Sequence, residues 1–436
     1  MPYQKPLVIL RSNDNCFLDI IRACGRCGIE TISVIFSWDG ATWKSEKSSY
    51  LKNIVRITNP AENEQLAVQE LCALGQRLLE KYGERLLVIS SSDTNLYFMQ
   101  KNFETFSPYF LQMGHSSFDK SCMRELRKDS AAELLKQGNV EIPLSYPVLS
   151  ASDVTPTVDN MRYPCVYKPI LKDLTGSFQK THAGKKAVEC TSKTELREKL
   201  LQELKNGYKL IVQEKIMFQS LEDEVSCYMY VNGKGNIQAI SGQHKILEHP
   251  HPYGTGVVSV PFMDEEFIRI AHNIAKAYKW RGFLGIEFMR NKKNGKWTVI
   301  EINLRPWISV NFQASLGFNY LKMLYDDFYG ETTDEIRVMD SSFCAVYRIN
   351  LTMLVQKVMA DCDNAHITME RIKTGIKNNL GQMIFSYYIY NDEEPGLAEK
   401  EDLIQKYPQQ QQIIEEIYDL IQENNRIIAH KTNGFD

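Results

Sequence analysis

One stretch of this sequence decides its fold: GFLGIEFMR over 282–290, followed by VIEINLRPW over 299–307. Both segments are rich in β-branched and aromatic residues, which favour strands. The connection between them contains KKNG over 292–295, and Asn-Gly pairs are typical of tight hairpin turns. The pattern therefore predicts two antiparallel strands joined by a hairpin.

Polar side chains recur at every second position of the second strand. Because successive side chains of a strand point to opposite faces, Glu301, Asn303 and Arg305 should share one face, and the isoleucines between them should face the core. Glu287 lies on the partner strand, within reach across the ladder. The hairpin is thus expected to gather two carboxylates, an amide oxygen and a guanidinium in one patch.

This patch has the chemistry of a site for a metal ion and a phosphate. Mg²⁺ prefers hard oxygen ligands such as carboxylates, phosphate oxygens and water. A guanidinium can hold a phosphate or a carboxylate through two parallel hydrogen bonds. The alternative is a solvated strand face with cross-strand charge pairs. Against it, Glu287 is flanked by strongly apolar residues, and a buried unpaired charge is costly.

With these residues the sequence resembles the ATP-grasp superfamily, in which such a hairpin forms the magnesium site between two lobes that clasp ATP. The resemblance implies that Glu287, Glu301 and Asn303 bind Mg²⁺, as two ions, with Mn²⁺ able to substitute. It also implies a catalytic role for Arg305 at the reacting phosphate. The implied fold is α/β and α+β: an ATP-grasp fold with an N-terminal parallel-sheet (Rossmann-like) lobe and a mainly helical C-terminal extension.

Two lysine segments match the family in the same order along the chain. FDKS over 118–121 resembles the family's Asp-Lys pair at the start of a helix, which would make Lys120 a phosphate contact. YPCVYKP over 163–169 resembles the strand that carries a phosphate-binding lysine, here Lys168. An ordinary surface lysine is the plainer explanation for each of them taken alone.

The next segment, IVQEKI over 211–216, resembles the family's strand that borders adenine. Glu214 would accept a hydrogen bond from the adenine amino group, through its side chain or its backbone carbonyl. The backbones of Lys215 and Ile216 would complete that edge. The nucleotide-binding residues implied by this segment are Gln213, Glu214, Lys215 and Ile216.

Two further side chains are implied to contact the nucleotide or the reacting group. Glu224 is implied to bind the ribose hydroxyls, with Asp223 and Glu222 left open because the loop length before them is not fixed. Lys245, in QHKI over 243–246, would touch the transferred phosphate or the acyl phosphate. A surface role for this lysine fits the sequence equally well.

A Gly- and Ser-containing loop, TGSFQKTHAGKK over 175–186, resembles the mobile loop that closes over the phosphates. Backbone N–H groups of such a loop can cradle an anion. Lys186 is assigned to phosphate, while Lys180 and Lys185 stay open as alternatives.

The remainder of the chain fits a modular enzyme. Short apolar strands such as Leu7–Leu10 and Ile32–Phe36 alternate with amphipathic helices, a pattern typical of a parallel sheet covered by helices. Near the end, Glu401–Arg426 has the periodicity of one exposed amphipathic helix. The predicted regions are 1–115, an N-terminal α/β domain; 116–330, the ATP-grasp domain with a mobile lid lobe at about 165–212; and 331–436, a mainly helical extension.

Composition narrows the setting. The 436 residues carry a formal net charge of −3 and are 43% hydrophobic, which gives no reason to expect a nucleic-acid or membrane-surface partner. No run approaches the roughly 20 apolar residues of a membrane span. The ten cysteines are spread singly, as in a reducing compartment. We therefore expect a cytoplasmic protein. The resemblance implies small-molecule carboxylate and amine substrates and allows a homodimer.

Three other patterns have plainer explanations. CGRC over 24–27 has redox-like spacing, but Cys24 lies on the apolar face of a predicted helix, which favours packing. SNDN over 12–15 and Ser92–Asp93 follow predicted strands, so they could face a substrate or cap helices, Asp93 especially. A transition-metal site is disfavoured for a Pro- and Gly-rich stretch without regular strand spacing, which holds His244, Glu248, His249 and His251.

The resemblance implies a ligase that activates a carboxylate as an acyl phosphate and joins it to an amine. The run EINLRPW over 301–307 resembles the D-aspartate ligase-like branch of carboxylate–amine ligases, which points to an amino-acid or peptide substrate. The alternatives are an ATP-grasp enzyme that uses another nucleophile or stops at the acyl phosphate, a non-catalytic nucleotide-binding regulator, and a non-enzymatic interaction module.

Overall fold

The protein is described by a computed structural model. No helix among the described residues is both long and apolar enough to cross a bilayer. The described residues are 5–11, 14–36, 43–115, 123, 125–171, 177–251, 254–330, 335–340, 346–360 and 365–432.

The N-terminal region forms a parallel sheet, as its strand–helix alternation predicts. Its strand order is β3-β2-β1-β4-β5, and every pair along it is parallel. Two of these strands have weak sequence signals, since one is largely exposed and the other has only three residues. The strands are β1 (Leu7–Arg11), β2 (Thr31–Phe36), β3 (Asn53–Ile57), β4 (Leu86–Ser90) and β5 (Phe110–Gln112).

Helices cover both faces of this sheet because its strands are apolar on both sides. Ile9 packs into one core cluster and its neighbours Val8 and Leu10 into another, as the two-residue period of a strand requires. The strand that was expected over Leu7–Leu10 is thereby confirmed. The helices of this region are α1 (Asp14–Arg26), α2 (Glu64–Tyr82), α3 (Asp93–Lys101) and α4 (Phe103–Phe106).

A small antiparallel sheet follows, with strand order β7-β10-β8-β9. It spans Ser145–Glu214 and so begins before the lid lobe that the sequence predicts at 165–212. Apolar residues of its strands pack against three helices in a core of their own. The elements are α5 (Lys128–Gln137), β7 (Ser145–Val148), α6 (Val154–Asn160), β8 (Cys165–Pro169), α7 (Ser177–Thr181), β9 (Val188–Cys190), α8 (Lys193–Lys205) and β10 (Leu210–Glu214).

A large mixed sheet forms the centre of the molecule. Within the described residues it has nine strands, with the main order β15-β14-β11-β12-β13-β17-β18. One face of it shares a continuous core with β1 and α1. Its elements are β6 (Gly114–His115), β11 (Glu224–Val231), β12 (Ile237–His249), β13 (Thr255–Pro261), α9 (Glu265–Tyr278), β14 (Trp280–Arg290), β15 (Trp297–Asn303), α10 (Val310–Ser315) and α11 (Tyr320–Tyr329).

Two local expectations about this sheet are wrong. β12 runs on to His249, so the stretch that reads as an irregular loop is strand up to that point, because pairing with β13 continues through it. The register of the β14–β15 hairpin shifts between Glu287 and Phe288. That bulge inserts Ile300 as an extra residue, so Ile300 lines the same cleft as Glu301 and does not face the core.

The C-terminal region is mainly helical but also extends the large sheet. The single helix expected over Glu401–Arg426 is divided into two helices at Tyr407 and Pro408. The division arises because Pro408 lacks a backbone N–H and disfavours helical geometry at the residue before it. The second is amphipathic, and its apolar side is buried, not exposed. The elements are β16 (Arg337–Val338), β17 (Tyr347–Ile349), α12 (Leu351–Met359), α13 (Ala365–Asn378), β18 (Met383–Phe385), α14 (Glu394–Lys406) and α15 (Gln411–Thr432).

Candidate active site

A cleft of about 410 Å³ lies between the small sheet and one face of the large sheet. Every site residue expected from the sequence lines it except Lys120, which lies outside the described residues. The expected residues that the structure brings together are Lys168, Lys186, Gln213, Glu214, Lys215, Ile216, Glu224, Lys245, Glu287, Glu301, Asn303 and Arg305.

Strand pairing places the acidic residues. Glu287 of β14 is the register partner of Glu301 of β15, and Gly285 is the partner of Asn303. The Asn303 side-chain amide donates to Glu287 Oε1 at 3.4 Å, and its amide oxygen accepts from Arg305 Nη2 at 3.5 Å. Gly285 has no side chain, so the space above this register position stays open. Two carboxylates and an amide oxygen therefore share one patch.

Arg305 lies two residues beyond the end of β15 and contacts α3 of the N-terminal region. Its Nη2 pairs with Asp93 Oδ2 at 3.0 Å, and only 14% of its side chain is exposed. Burial alone would lower the pKa of Arg305, but Asp93, Cys16 and Glu301 together raise that pKa above its ordinary value. Ser92 is the N-cap of α3, and Asp93 is its first residue. Ser92 therefore caps the helix, while Asp93 contacts Arg305 in the cleft.

The small sheet supplies lysines to the opposite wall. Lys168 of β8 is 7% exposed and lies opposite Ile211 of β10. Of the three lysines considered in the 175–186 loop, Lys186 lines the cleft. Lys180 lies on α7 and is exposed. The geometry therefore favours Lys186 as the loop's cation at the cleft.

The end of β10 forms the edge where adenine was expected. The Gln213 side chain donates to Ser145 Oγ at 3.0 Å, and Glu214 pairs with Arg162 at 3.3 Å. The backbone N–H of Lys215 donates to the Pro164 carbonyl at 3.1 Å, so this donor is already satisfied within the protein. An adenine at this edge would have to use other backbone groups of the segment.

Glu224 and Lys245 lie on neighbouring strands and form an ion pair. Lys245 also lies 3.6 Å from Glu248, a carboxylate that is 2% exposed. Burial alone would lower the pKa of Lys245, but Glu224, Glu287 and Glu248 raise it above its ordinary value. Burial raises the pKa of Glu224 although Lys245 opposes it. Three carboxylates thus keep this ammonium charged.

The structure distinguishes the three acidic residues considered for the ribose, Glu222, Asp223 and Glu224. Asp223 Oδ2 accepts the backbone N–H of Gln219 at 2.8 Å and belongs to a capping box with Ser220. Glu224 alone among the three lines the cleft. The structure therefore assigns Asp223 to the turn and brings Glu224 to the site.

Lys128 is a residue at this site that the sequence reasoning missed. The helix start expected near Lys120 lies outside the described residues, and the first described helix after it begins at Lys128. Lys128 Nζ lies 3.7 Å from Glu301 and donates to the Pro169 carbonyl at 3.0 Å. Burial lowers the pKa of Lys128, with Lys168 acting in the same direction and Glu301 against it. The sequence signal that could have identified Lys128 is its position immediately before a stretch with the apolar periodicity of a helix.

The structure also shows the surroundings of the histidines at 244–251 and of Cys24. His251 Nδ1 lies 2.8 Å from Glu248, while the His244 ring lies beside Phe262. In the part of the chain that the structure describes, no three His, Cys, Asp or Glu side chains are grouped as a metal site. Cys24 is fully buried in the core, which raises the pKa of its thiol. The packing interpretation of that cysteine is therefore supported.

The donor set at Glu287, Glu301 and Asn303 suits magnesium. Mg²⁺ binds hard oxygen atoms and usually takes one or two protein carboxylates, completing its shell with phosphate oxygens and water. The pair of carboxylates facing each other across β14 and β15 provides this arrangement. Without a cation between them, two adjacent carboxylates would repel each other.

No protein-family model and no curated protein sequence matches this chain, but solved structures do. N5-carboxyaminoimidazole synthetase from Staphylococcus aureus, complexed with ADP, matches with a TM-score of 0.57 and 13% identity, over 77% of this chain and 80% of that one. The biotin carboxylase domain of the Hydrogenobacter thermophilus 2-oxoglutarate carboxylase, in complex with MgADP, ADP and bicarbonate, gives 0.56 and 16%, over 76% and 71%.

A third match is biotin carboxylase from Campylobacter jejuni in complex with β-γ-ATP, with a TM-score of 0.56 and 14% identity, over 76% of this chain and 72% of that one. At such identities the likeness concerns the fold. This chain has the ATP-grasp fold, with a parallel-sheet lobe, a mixed sheet and a helical C-terminal end. The fold class expected from the hairpin at 282–307 is confirmed.

Proposed function

We propose that this protein is an ATP- and Mg²⁺-dependent ligase that phosphorylates a substrate carboxylate and joins the acyl group to an amine. One observation carries the proposal: the acidic patch of β14 and β15 and the lysines of the small sheet converge on one cleft. The ADP, MgADP and bicarbonate named for the similar structures support ATP and magnesium as ligands of this cleft.

Each part of ATP and the metal ion is assigned to a different group of residues in the cleft. The edge 213–216 would hold adenine, and Glu224 is proposed for the ribose. Lys120, Lys168 and Lys186 are proposed for the phosphates, and Lys128 is proposed as a further phosphate contact. Glu287, Glu301 and Asn303 would hold Mg²⁺, or Mn²⁺ in its place, which would neutralise phosphate charge when bound.

The reaction follows from charge and position. A carboxylate oxygen attacks the γ-phosphorus of ATP, so a carbonyl–O–P bond forms and ADP leaves. The amine then attacks the acyl carbon, the acyl–oxygen bond breaks, phosphate leaves and the nitrogen loses a proton. Arg305 and Lys245 are proposed to offset the negative charge that develops at the phosphoryl group, since phosphoryl transfer depends mainly on positioning and electrostatics.

The acid and amine are proposed to include an amino acid or peptide, in keeping with the D-aspartate ligase-like run at 301–307. Bicarbonate is a second candidate acid, because it is named for one of the similar structures. Two alternatives are tested against this proposal. One is an enzyme of the same fold that uses another nucleophile, and the other is a regulator that binds ATP without turnover. A cytoplasmic location and a homodimer stay predictions.

The test begins with binding. Purified protein should show a higher melting temperature with ATP and Mg²⁺ than with either alone. It should then release phosphate from ATP when one member of a panel of amino acids, dipeptides or bicarbonate is paired with an amine. ATP binding without ADP formation across the panel would favour a regulator. No ATP-dependent shift would overturn the proposal.

A further inference from the structure

The C-terminal region contributes one side chain to the cleft. β17 joins the large sheet beside β13, where Arg348 is the register partner of Ser259. Arg348 is 3% exposed and lines the cleft together with Ser259, Tyr228 and Trp307. We call this part of the cleft the Arg348 pocket. It belongs to none of the segments that resemble the ATP-grasp motifs.

The guanidinium of Arg348 is incompletely matched by the protein. Its Nη2 donates to the Ile308 carbonyl at 2.8 Å. Among the described residues, no carboxylate lies within ion-pair distance of it. Burial lowers the pKa of Arg348, with Asp19 acting against that effect. A buried cation without a paired anion is costly, so such a group indicates an anionic ligand.

Two other donors of the Arg348 pocket are buried without a partner. Ser259 Oγ and Trp307 Nε1 make no hydrogen bond within the described part of the chain, and their residues are 1% and 5% exposed. A buried donor without an acceptor destabilises the folded protein. A hydroxyl, an indole N–H and a guanidinium are all able to donate, so together they fit an acceptor such as a carboxylate.

The pocket is rigid and adjoins the reacting centre. The Trp307 ring stacks on Tyr228 with centroids 4.0 Å apart and an 8° angle, which fixes one wall. Ile308, the acceptor for Arg348, lies three residues beyond Arg305. Arg348 and Arg305 line the same cleft, so a ligand anchored at Arg348 would share that cleft with the proposed phosphate.

We propose that the Arg348 pocket binds the carboxylate of an amino-acid substrate that is not phosphorylated, through Arg348, Ser259 and Trp307. This inference rests on the proposed ligase function and adds the place where the amino acid's unreacted carboxylate binds. The amino acid could be the activated acid, reacting through a second carboxylate, or the amine that attacks. In both cases the carboxylate at Arg348 anchors the substrate while another group of it reacts.

The test compares amino acids with their α-amides, which lack the anchoring charge. Phosphate release by the full-length protein is measured across a panel of amino acids, each beside its α-amide. The free acids should exceed the amides in kcat/KM by roughly 10- to 100-fold, the value of a hydrogen bond to a charged group. In Arg348→Met this preference should collapse while the KM for ATP stays unchanged. Arg348→Lys should keep part of it.

Ser259→Ala is a second variant in case Arg348→Met fails to fold, and it should weaken the preference in the same direction. Arg337→Met, at an exposed position of β16, is the matched control and should leave it intact. With hydroxylamine as the only amine, an amino acid that is activated gives a hydroxamate, whereas one that acts only as the amine does not.

The outcomes separate this inference from the proposed function. If ATP and Mg²⁺ shift the melting temperature but Arg348→Met and Ser259→Ala keep the wild-type preference, the pocket assignment is overturned. The same holds if no amino acid in either role raises phosphate release above the rate with ATP alone. If ATP and Mg²⁺ cause no shift, the ligase proposal itself fails.

Discussion

Two regions of this molecule bury arginines, and they treat the charge in opposite ways. Where α1 meets the segment 386–392, Arg22 is fully buried and pairs with Asp392 at 2.7 Å. It also donates to the carbonyls of Ser386, Tyr387 and Asp392. In the cleft, Arg348 is almost as buried but donates only to the Ile308 carbonyl within the described residues. Saturated charges of the first kind hold elements together, whereas unsaturated ones indicate a ligand.

The same contrast applies to the carboxylates. Asp392 accepts from Arg22, from the Ser48 hydroxyl and from the Ser49 backbone N–H. Glu287 and Glu301 instead face each other across β14 and β15, with Lys128 Nζ 3.7 Å from Glu301. Two carboxylates at one register position are the arrangement expected where a cation binds. Stability and function should therefore separate under mutation.

The largest effect is expected from Arg22→Met. It would leave Asp392 buried without its cation, and breaking a buried ion pair costs about 3–5 kcal/mol. Urea unfolding should show this loss, while turnover per folded molecule should persist at low temperature. Lys193→Met, which breaks the exposed Lys193–Asp159 pair, is the control and should cost less than about 1 kcal/mol. Equal losses for both variants would contradict the comparison.

Glu301→Ala should do the reverse. Removing a proposed metal ligand should lower turnover by roughly 10²- to 10³-fold, the scale of losing one preorganised electrostatic contact. The free energy of unfolding should fall only modestly, because relief of the repulsion with Glu287 offsets loss of the 3.7 Å contact to Lys128. Phosphate release and urea unfolding measure the two effects. Glu401→Ala, at an exposed position, is the matched control. Wild-type turnover in Glu301→Ala would refute the metal assignment.

Lys128→Met tests the residue that only the structure revealed. Loss of a charged contact to phosphate should reduce kcat/KM for ATP by roughly 10- to 100-fold. Lys128→Arg should recover part of the activity, since the positive charge is kept. Lys136→Met, near the other end of α5, provides the control. Unchanged kinetics in Lys128→Met would remove Lys128 from the site.

The smallest effect concerns Asp19 of α1, which lies between the two regions. Burial raises its pKa from the ordinary value of 3.8 to about 7, although Arg348 and Arg22 oppose this. Between these values the native state holds a proton that the unfolded state has lost, so this group makes stability fall as the pH rises from about 4 to about 7. The slope is at most about 1.4 kcal/mol per pH unit.

Asp19→Asn should remove this contribution. The variant and the wild type are unfolded in urea at pH 5, 6 and 7, and the difference between their free energies isolates Asp19 from the other titrating groups. The wild type should lose stability relative to the variant as the pH rises. A constant difference across these values would show that Asp19 does not titrate in this window.

Much of the fold could be predicted because it depends on local patterns. The apolar runs at Leu7–Leu10 and Ile32–Phe36 are strands, and the hairpin at 282–303 forms with Glu287 and Glu301 paired. β3 was not predicted because most of its residues are exposed. Pairing with β2 creates it, and no local periodicity reports that pairing.

For the candidate site, the sequence supplied the residue types and the alternation that puts Glu301, Asn303 and Arg305 together. It could not supply Lys128, because the start of α5 depends on how the chain leaves the N-terminal sheet. It could not supply Arg348 either. That residue reaches the cleft through the pairing of β17 with β13, across a sequence separation of 89 residues between Ser259 and Arg348.

The acidic hairpin, its alternating faces and the chemistry of its side chains follow from the sequence, since they depend on neighbours two residues apart or across one turn. Which charges are paired within the protein depends instead on contacts between distant segments. Arg22 and Arg348 are the same kind of residue, each near apolar neighbours in the chain. They differ because Asp392 folds back onto Arg22, whereas Arg348 has only the Ile308 carbonyl among the described residues.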